Sequence, residues 1–311
     1  MTRTTGIHIT GQTLRLTCLE TTPVGLQLIA LSEAPLSAPL CPESIQNSGV
    51  RLQLADEIRS ALQDLCADPG EVIAALGGGF FQLRRVPLEI ASDDDRREHM
   101  IWEASQALIS PVETYQIDFY PSGRVAFWVA VRKTVLDLCQ EVYGVDKLSF
   151  QGFVAEPLAL FHAATTANLW KDKRQAAVLL AAPWITWVVA DEGLLTTAQT
   201  LHTIADTPPQ ETASGFSFMA GSLQRWIFGE ITPEKKQSDY HEIFLCGEPD
   251  QIQKLAESLS SGSNAPIIPF DPFVSLDTQQ VPDAQRRYLN ASCGFGVATG
   301  LACWKGPKAL L

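Results

Sequence analysis

Two triplets of short strands, at residues 5–31 and 176–202, share one layout, and that repetition most constrains how this 311-residue chain can fold. In the first, apolar residues alternate with polar ones through Leu14, Leu16 and Cys18, then through Leu26, Leu28 and Ala30. The alternation breaks at Gly11 and at Pro23-Val24-Gly25, which predicts successive antiparallel strands joined by tight turns. In the second, 176–182 and 184–190 read as apolar strands hinged at Pro183. Asp191-Glu192-Gly193 then turns the chain into a strand at 194–202.

Helices and buried strands are expected between and after the triplets. Residues 32–49 carry Pro35, Pro39, Pro42 and Gly49 and read as a loop. Leu54, Ile58, Ala61, Leu62 and Leu65 have helical spacing over 51–66, and 72–76 is a short buried strand. Gly77-Gly78-Gly79 is followed by a strand and by no Lys-Ser/Thr pair, so it reads as a turn or crossover and not as a phosphate-binding P-loop. Ser92 with Asp93, Asp94 and Asp95 suggests a helix N-terminus running to Ser110-Pro111, the carboxylates answering the helix dipole. Strands at 115–120 and 125–132 pair around Pro121-Ser122-Gly123. A helix at 133–143 is expected to turn Val135, Leu138 and Cys139 inward, and an apolar helix starts beside Pro157. The charged run Lys171-Asp172-Lys173-Arg174 is the best domain boundary. A loop at 203–213, an aromatic helix at 214–228 (Phe216, Met219, Leu223, Trp226, Ile227), a strand at 243–246, a helix at 250–259, a strand at 267–270 and a packed tail at 291–302 follow.

Composition excludes several classes. A formal net charge of −12 argues against sequence-independent nucleic-acid binding and against adsorption on anionic lipid. Seven cysteines are scattered, with no C-x-x-C and no zinc spacing. They read as mostly buried thiols in a reducing compartment. No apolar run reaches the roughly 18 residues of a membrane-spanning helix, and no signal-peptide core opens the sequence. A cytoplasmic protein is expected, without direct membrane insertion.

Several stretches, in order along nearly the whole chain, resemble the PilM family of type IV pilus assembly proteins, itself similar to the cell-division protein FtsA. They are Phe81-Gln82-Leu83-Arg84-Arg85-Val86-Pro87-Leu88-Glu89, Arg96-Arg97-Glu98-His99-Met100-Ile101-Trp102-Glu103-Ala104-Ser105-Gln106, Val129-Ala130-Val131-Arg132-Lys133, Val154-Ala155-Glu156-Pro157-Leu158-Ala159-Leu160, Cys246-Gly247 and Phe270-Asp271-Pro272-Phe273. The resemblance implies an α/β, duplicated ribonuclease-H-like (actin-like) fold with an inserted α+β subdomain. It divides the chain into a first domain at 1–174, with the insertion at about 80–150, and a reduced second domain at 175–311 whose C-terminal helix returns to the first.

The departures from the family bear on chemistry. Where the resemblance implies a first phosphate hairpin with Asp-x-Gly, this chain has His8 and Thr10 before Gly11. In the second, Leu179-Leu180-Ala181 replaces Asp-Ile-Gly and Pro183-Trp184 occupies the turn. At the adenosine loop Gly247 is followed by Glu248 and Pro249 in place of glycines. Losing both aspartates removes the charges that would hold Mg²⁺ and orient the attacking water. Losing glycines puts side chains where backbone N–H groups must approach phosphate. Trp184 is expected to fill the cleft and Glu248 to repel a polyphosphate.

Three functional readings follow. The resemblance implies a non-catalytic scaffold of a pilus or type II-like secretion assembly, binding the short cytoplasmic tail of a PilN-like inner-membrane protein and peripheral to the membrane through it. Phe81, Leu83, Trp102, Phe127 and Trp128 are candidates for that surface, each weighed against a core role. Self-association is an open expectation. The alternative is an actin-like ATPase or sugar-kinase-like phosphotransferase, with Asp191, Asp206 or Glu156 as a displaced carboxylate. Of these, Asp191 reads as a turn residue and Glu156 as a residue near the interdomain connection. Weak ATP binding without turnover is kept open; no metal and no catalytic residue is assigned. An unrelated hydrolase has the least support: the five histidines, including His8, sit in no nucleophile elbow.

Overall fold

The computed structural model describes residues 2–88, 93–144, 148–171, 173–202, 240–260 and 265–305. The expected loop at 203–213, the aromatic helix at 214–228, Asp206 and the Ser92 cap lie outside these residues, as do the side chains of Asp93 and Asp94.

Each strand triplet opens a five-stranded mixed sheet. In the first, β1 (Thr2–Thr10), β2 (Thr13–Thr22) and β3 (Gly25–Pro35) are antiparallel, and β4 (Glu71–Leu76) and β8 (Phe150–Ala155) extend the sheet in parallel, in the order β3-β2-β1-β4-β8. The second repeats this plan as β11-β10-β9-β12-β13, from β9 (Gln175–Ala181), β10 (Trp184–Asp191), β11 (Leu194–His202), β12 (Ile243–Gly247) and β13 (Ile267–Pro269). A third sheet, β5-β7-β6, is antiparallel and comes from β5 (Gln82–Pro87), β6 (Tyr115–Ser122) and β7 (Val125–Arg132).

Helices fill the crossovers. These are α1 (Ser48–Leu65), α2 (Asp93–Ala107), α3 (Lys133–Tyr143), α4 (Glu156–Thr166), α5 (Pro249–Ser260) and α6 (Gly296–Ala302). Helix α1 begins earlier than its apolar spacing suggests because Asn47 caps it, its side chain accepting from the Gly49 and Val50 amides. In α3, Leu136, Cys139 and Val142 are the buried face. Val135 and Leu138 are half-buried and pack against the same core, so the expected inward face holds and is widened by Leu136 and Val142. The packed tail is largely 3₁₀ turns over Asp283–Phe295, and only its last seven residues are α-helical.

Helix α6 packs against both β1 and α4, with glycines at both contacts. Helix α4 is apolar on nearly every side, as a helix wedged between two sheets must be. Beside it His162 packs between Tyr120 of β6 and Trp304, with ring centroids at 5.7 and 4.2 Å. Burial pushes the His162 imidazole down to about 4. The unfolded chain takes up this proton near its ordinary value of 6.5, so stability is full above that pH and falls as pH drops toward 4. We expect a loss of about 2–3 kcal/mol across that interval from this group. Urea midpoints measured from pH 7 to 4 should show it, and His162→Leu should flatten that part of the profile.

Two sequence expectations fail in the small sheet. Phe127 and Trp128 are fully buried and cannot form a partner surface. Strand β7 is the middle strand and is covered on both faces. Trp128 packs beneath α2 with Met100 and Ala104, while Phe127 faces the core around α4. A doubly covered strand reads as a continuous apolar run and offers no outward face.

Candidate functional site

The two sheets face each other across a cleft of about 300 Å³ lined by Thr10, Gly11, Gly78, Glu156, Ala181 and Trp184, among others. Strand registers align one row of residues on each of the two sheets. In the first sheet Glu33, Arg15 and His8 lie directly opposite one another across β3, β2 and β1. In the second, Thr200, Thr186 and Leu179 form the equivalent row across β11, β10 and β9. Cross-strand neighbours share a face of the sheet, so each row presents its side chains together.

Glu156 connects the rows. It is the first residue of α4, set where β8 ends and Pro157 starts the helix. One carboxylate oxygen accepts from His8 Nε2 at 2.8 Å and the other from Thr186 Oγ1 at 2.9 Å. Thr186 Oγ1 lies 3.1 Å from Thr200 Oγ1, extending the chain of hydrogen bonds. All of His8, Glu156 and Thr186 are buried. His8 Nδ1 is buried with no hydrogen-bond partner among the described residues.

Arg15 makes a second tie. Its side chain is only 2% exposed, and its guanidinium donates to Glu33 and Glu248 at 2.7 Å each and to Thr10 Oγ1 at 3.2 Å. Glu33 belongs to the first sheet and Glu248 follows the strand β12 of the second, so one buried cation joins the two. The charge of Glu248, expected to repel phosphate, is thereby spent on Arg15. A buried guanidinium needs such partners, because leaving it unpaired costs several kcal/mol.

The structure separates the sequence-predicted cleft residues into two groups. Thr10, Gly11 and Ala181 line the cleft. His8 lies beneath it on Glu156, Leu179 is turned into the core, and Gly247 is buried at the end of β12. Gly11 takes φ 57° at the β1–β2 turn, the left-handed region that suits glycine. The Gly77–79 run is a turn closed by the Phe80 amide on the Gly77 carbonyl. A Cβ on Gly78 would stand 2.8 Å from the Trp184 ring and would also strike Thr200. These glycines therefore admit an indole of the opposite sheet. Trp184 in turn packs edge-on against His202, with centroids 4.6 Å apart.

Among the described residues no group of three His, Cys, Asp or Glu side chains could hold a metal ion. Both oxygens of Glu156 are engaged, and Asp191 stands in the β10–β11 hairpin turn. His8 is bonded to a carboxylate and not to a hydroxyl or thiol nucleophile. The arrangement is suited to holding two sheets together. Sequence reasoning missed Arg15, Glu33, Thr186 and Thr200. Arg15 carried the one available signal, a cationic residue at an inward position of β2.

Of the candidate partner residues, Trp102 on α2 is 57% exposed and stacks on His99. Phe81 and Leu83 are half-buried against the cores.

No protein-family model matches the sequence, and no curated protein matches it. Solved structures do. The chain is similar to the PilM–PilN type IV pilus biogenesis complex with a TM-score of 0.76 and 18% identity, covering 96% of this chain and 97% of that one. It is also similar to a Bacteroides thetaiotaomicron protein with an actin-like ATPase fold and unknown function, with a TM-score of 0.51 and 11% identity, covering 97% and 96%. Together with the repeated strand order, these similarities establish the duplicated, actin-like α/β fold expected from the sequence.

Proposed function

We propose that this chain is a cytoplasmic, non-catalytic scaffold of a type IV pilus or type II-like secretion assembly. It binds the short cytoplasmic tail of a PilN-like inner-membrane protein and is held at the membrane by that partner. The observation that carries this reading is the likeness to the PilM–PilN complex over almost the full length of both chains. The cleft supports its non-catalytic part. His8 and Leu179 stand where the resemblance implies aspartates, and Glu156, the one fully buried carboxylate among the described residues, is engaged by two hydrogen bonds. Among the described residues no helix is long and apolar enough to cross a membrane, which fits recruitment through a partner.

The tail-binding surface is assigned to the small sheet and α2, with Trp102 as its exposed anchor; Phe81 and Leu83 pack on the opposite, α4-facing side of the sheet and are left out of it. An extended peptide would dock there by backbone pairing and apolar contacts.

Two titrations test the reading. A peptide of the cytoplasmic tail of the PilN-like protein encoded in the same genome should bind saturably. Trp102→Ala should weaken it about tenfold, the effect of losing one aromatic anchor. ATP with Mg²⁺ should give no turnover and at most weak binding. Mg²⁺-dependent saturable ATP binding with phosphate release would replace the scaffold by the ATPase reading. Sedimentation at rising concentration tests self-association in the same samples.

A further inference from the structure

Away from the cleft, a second cavity of about 370 Å³ lies between α1 and the end of α3. The start of α1 is tied to the end of α3 by Arg51, which donates to Glu141 at 2.6 Å. Beyond that tie α1 runs on to Leu65, whereas α3 is already capped by Gly144 in the left-handed region, φ 61°. The cavity opens along this stretch. Ala55 and Leu62 of α1, Pro69, Leu148 and the Tyr143 ring give it apolar walls.

Most polar groups around it are already bonded within the chain. The Tyr143 hydroxyl donates to the Ala75 carbonyl at 3.2 Å, so this residue offers only its ring. The Cys66 thiol contacts the Asp68 carbonyl at 3.3 Å. Arg59 and Gln63 are different. They stand one turn apart on α1 and both line the cavity, so their side chains reach the same opening. The Gln63 amide has no hydrogen bond among the described residues. Arg59 donates from Nη1 to Asp56 at 2.9 Å, an exposed pair of the kind that holds weakly. Its Nε and Nη2 have no partner among the described residues.

We propose that this cavity binds a small amphipathic monocarboxylate, such as a medium-chain fatty acid. The apolar body lies against Leu62, Leu148 and the Tyr143 ring. The carboxylate accepts from Arg59 and from the Gln63 amide. A guanidinium presents a planar pair of donors that matches a carboxylate. An apolar enclosure with a few placed polar groups is the usual make-up of a small-molecule site.

The surrounding charges narrow the class. Arg59 is the one cation among the described residues that line the cavity, and no carboxylate lines it. A ligand cation therefore finds no counter-charge there. Asp56 holds one side of Arg59, and Asp68 sits between the lining residues Ala67 and Pro69. A single negative charge is matched, while a polyanion is repelled by these neighbours. The site is separate from the tail-binding surface on the small sheet and α2.

Calorimetric titration of the full chain with octanoate tests the proposal, with octylamine and octanol as probes of equal length. Octanoate should bind saturably at one site per chain, octanol more weakly, and octylamine without saturation. Arg59→Ala should weaken octanoate about tenfold or more, the effect of losing a charged hydrogen-bonding partner. Arg59→Lys should restore part of the affinity, since lysine returns the charge without the planar fork. Ala67→Trp, at an exposed position of the lining, should fill the cavity and abolish binding. Unfolding midpoints of each variant, measured alongside, separate lost binding from lost fold. Should Ala67→Trp not fold, the Arg59 variants still decide. No saturable binding of octanoate at millimolar concentration, equal binding of octylamine, or unchanged affinity in Arg59→Ala would each overturn the proposal.

Discussion

Gly300→Ala is expected to lower stability by about 3 kcal/mol or more, at the upper end of what overpacking costs. In an exposed helix the same change would stabilise by up to about 1 kcal/mol, because alanine is the better helix former. The sign reverses here because the new Cβ has nowhere to go. It would strike the Ala159 carbonyl oxygen and stand 2.8 Å from the Ala159 carbonyl carbon and 3.0 Å from the Ala163 nitrogen. All of these are backbone atoms of α4, which cannot swing aside as a side chain could. The opposite side of α6 is equally tight. A Cβ on Gly6 of β1 would strike the Ala298 carbonyl and stand 2.8 Å from Leu301 Cβ. The C-terminal helix is thus clamped between β1 and α4 by a glycine on either side. Urea unfolding of Gly300→Ala reads the effect directly. A variant as stable as the parent would show that α6 does not sit this close to α4.

Glu156→Ala is expected to cost about 3–5 kcal/mol, because it leaves two buried donors, His8 Nε2 and Thr186 Oγ1, without the acceptor they share. The variant leaves His8 with neither ring nitrogen paired and takes from Thr186 its acceptor. Glu156→Gln keeps the shape and an acceptor oxygen, so it should cost much less, on the order of one hydrogen bond or about 1 kcal/mol. Replacing both partners, His8→Leu with Glu156→Leu, should recover much of the loss, since replacing both members of a buried hydrogen bond by apolar groups can be nearly neutral. The series also separates the structural role from a catalytic one. A catalytic carboxylate would lose turnover in Glu156→Gln at unchanged stability. Unfolding midpoints for the variants, with phosphate release measured alongside, distinguish the two. Glu156→Ala as stable as the parent would refute the bridging role.

The strand plan was legible because it is written locally. Alternation through Leu14, Leu16 and Cys18, breaks at Gly11 and Gly25, and the Asp191-Glu192-Gly193 turn are each decided within a few residues. The repeated sheet order follows from that repetition. The fate of the aromatics was not legible. The sequence around Phe127 and Trp128 suits an exposed groove as well as a covered strand, and only the placement of α2 on one face and α4 on the other buries both. Trp102 stayed outside because its helix presents a free face.

The site divides in the same way. That His8 and Leu179 stand where carboxylates are expected was implied only by the family resemblance. That Glu156 turns to His8 and Thr186 could not be read from the sequence, for the three residues are 148 and 30 positions apart along the chain. Arg15 and Glu248, separated by 233 positions, meet for the same reason. The sequence by itself determined the strands, turns and helices, because those obey short-range sterics and periodic burial. Only the tertiary structure decided which polar groups are paired across the cleft, because a buried charge takes whichever partner the packing of distant elements brings within hydrogen-bonding reach.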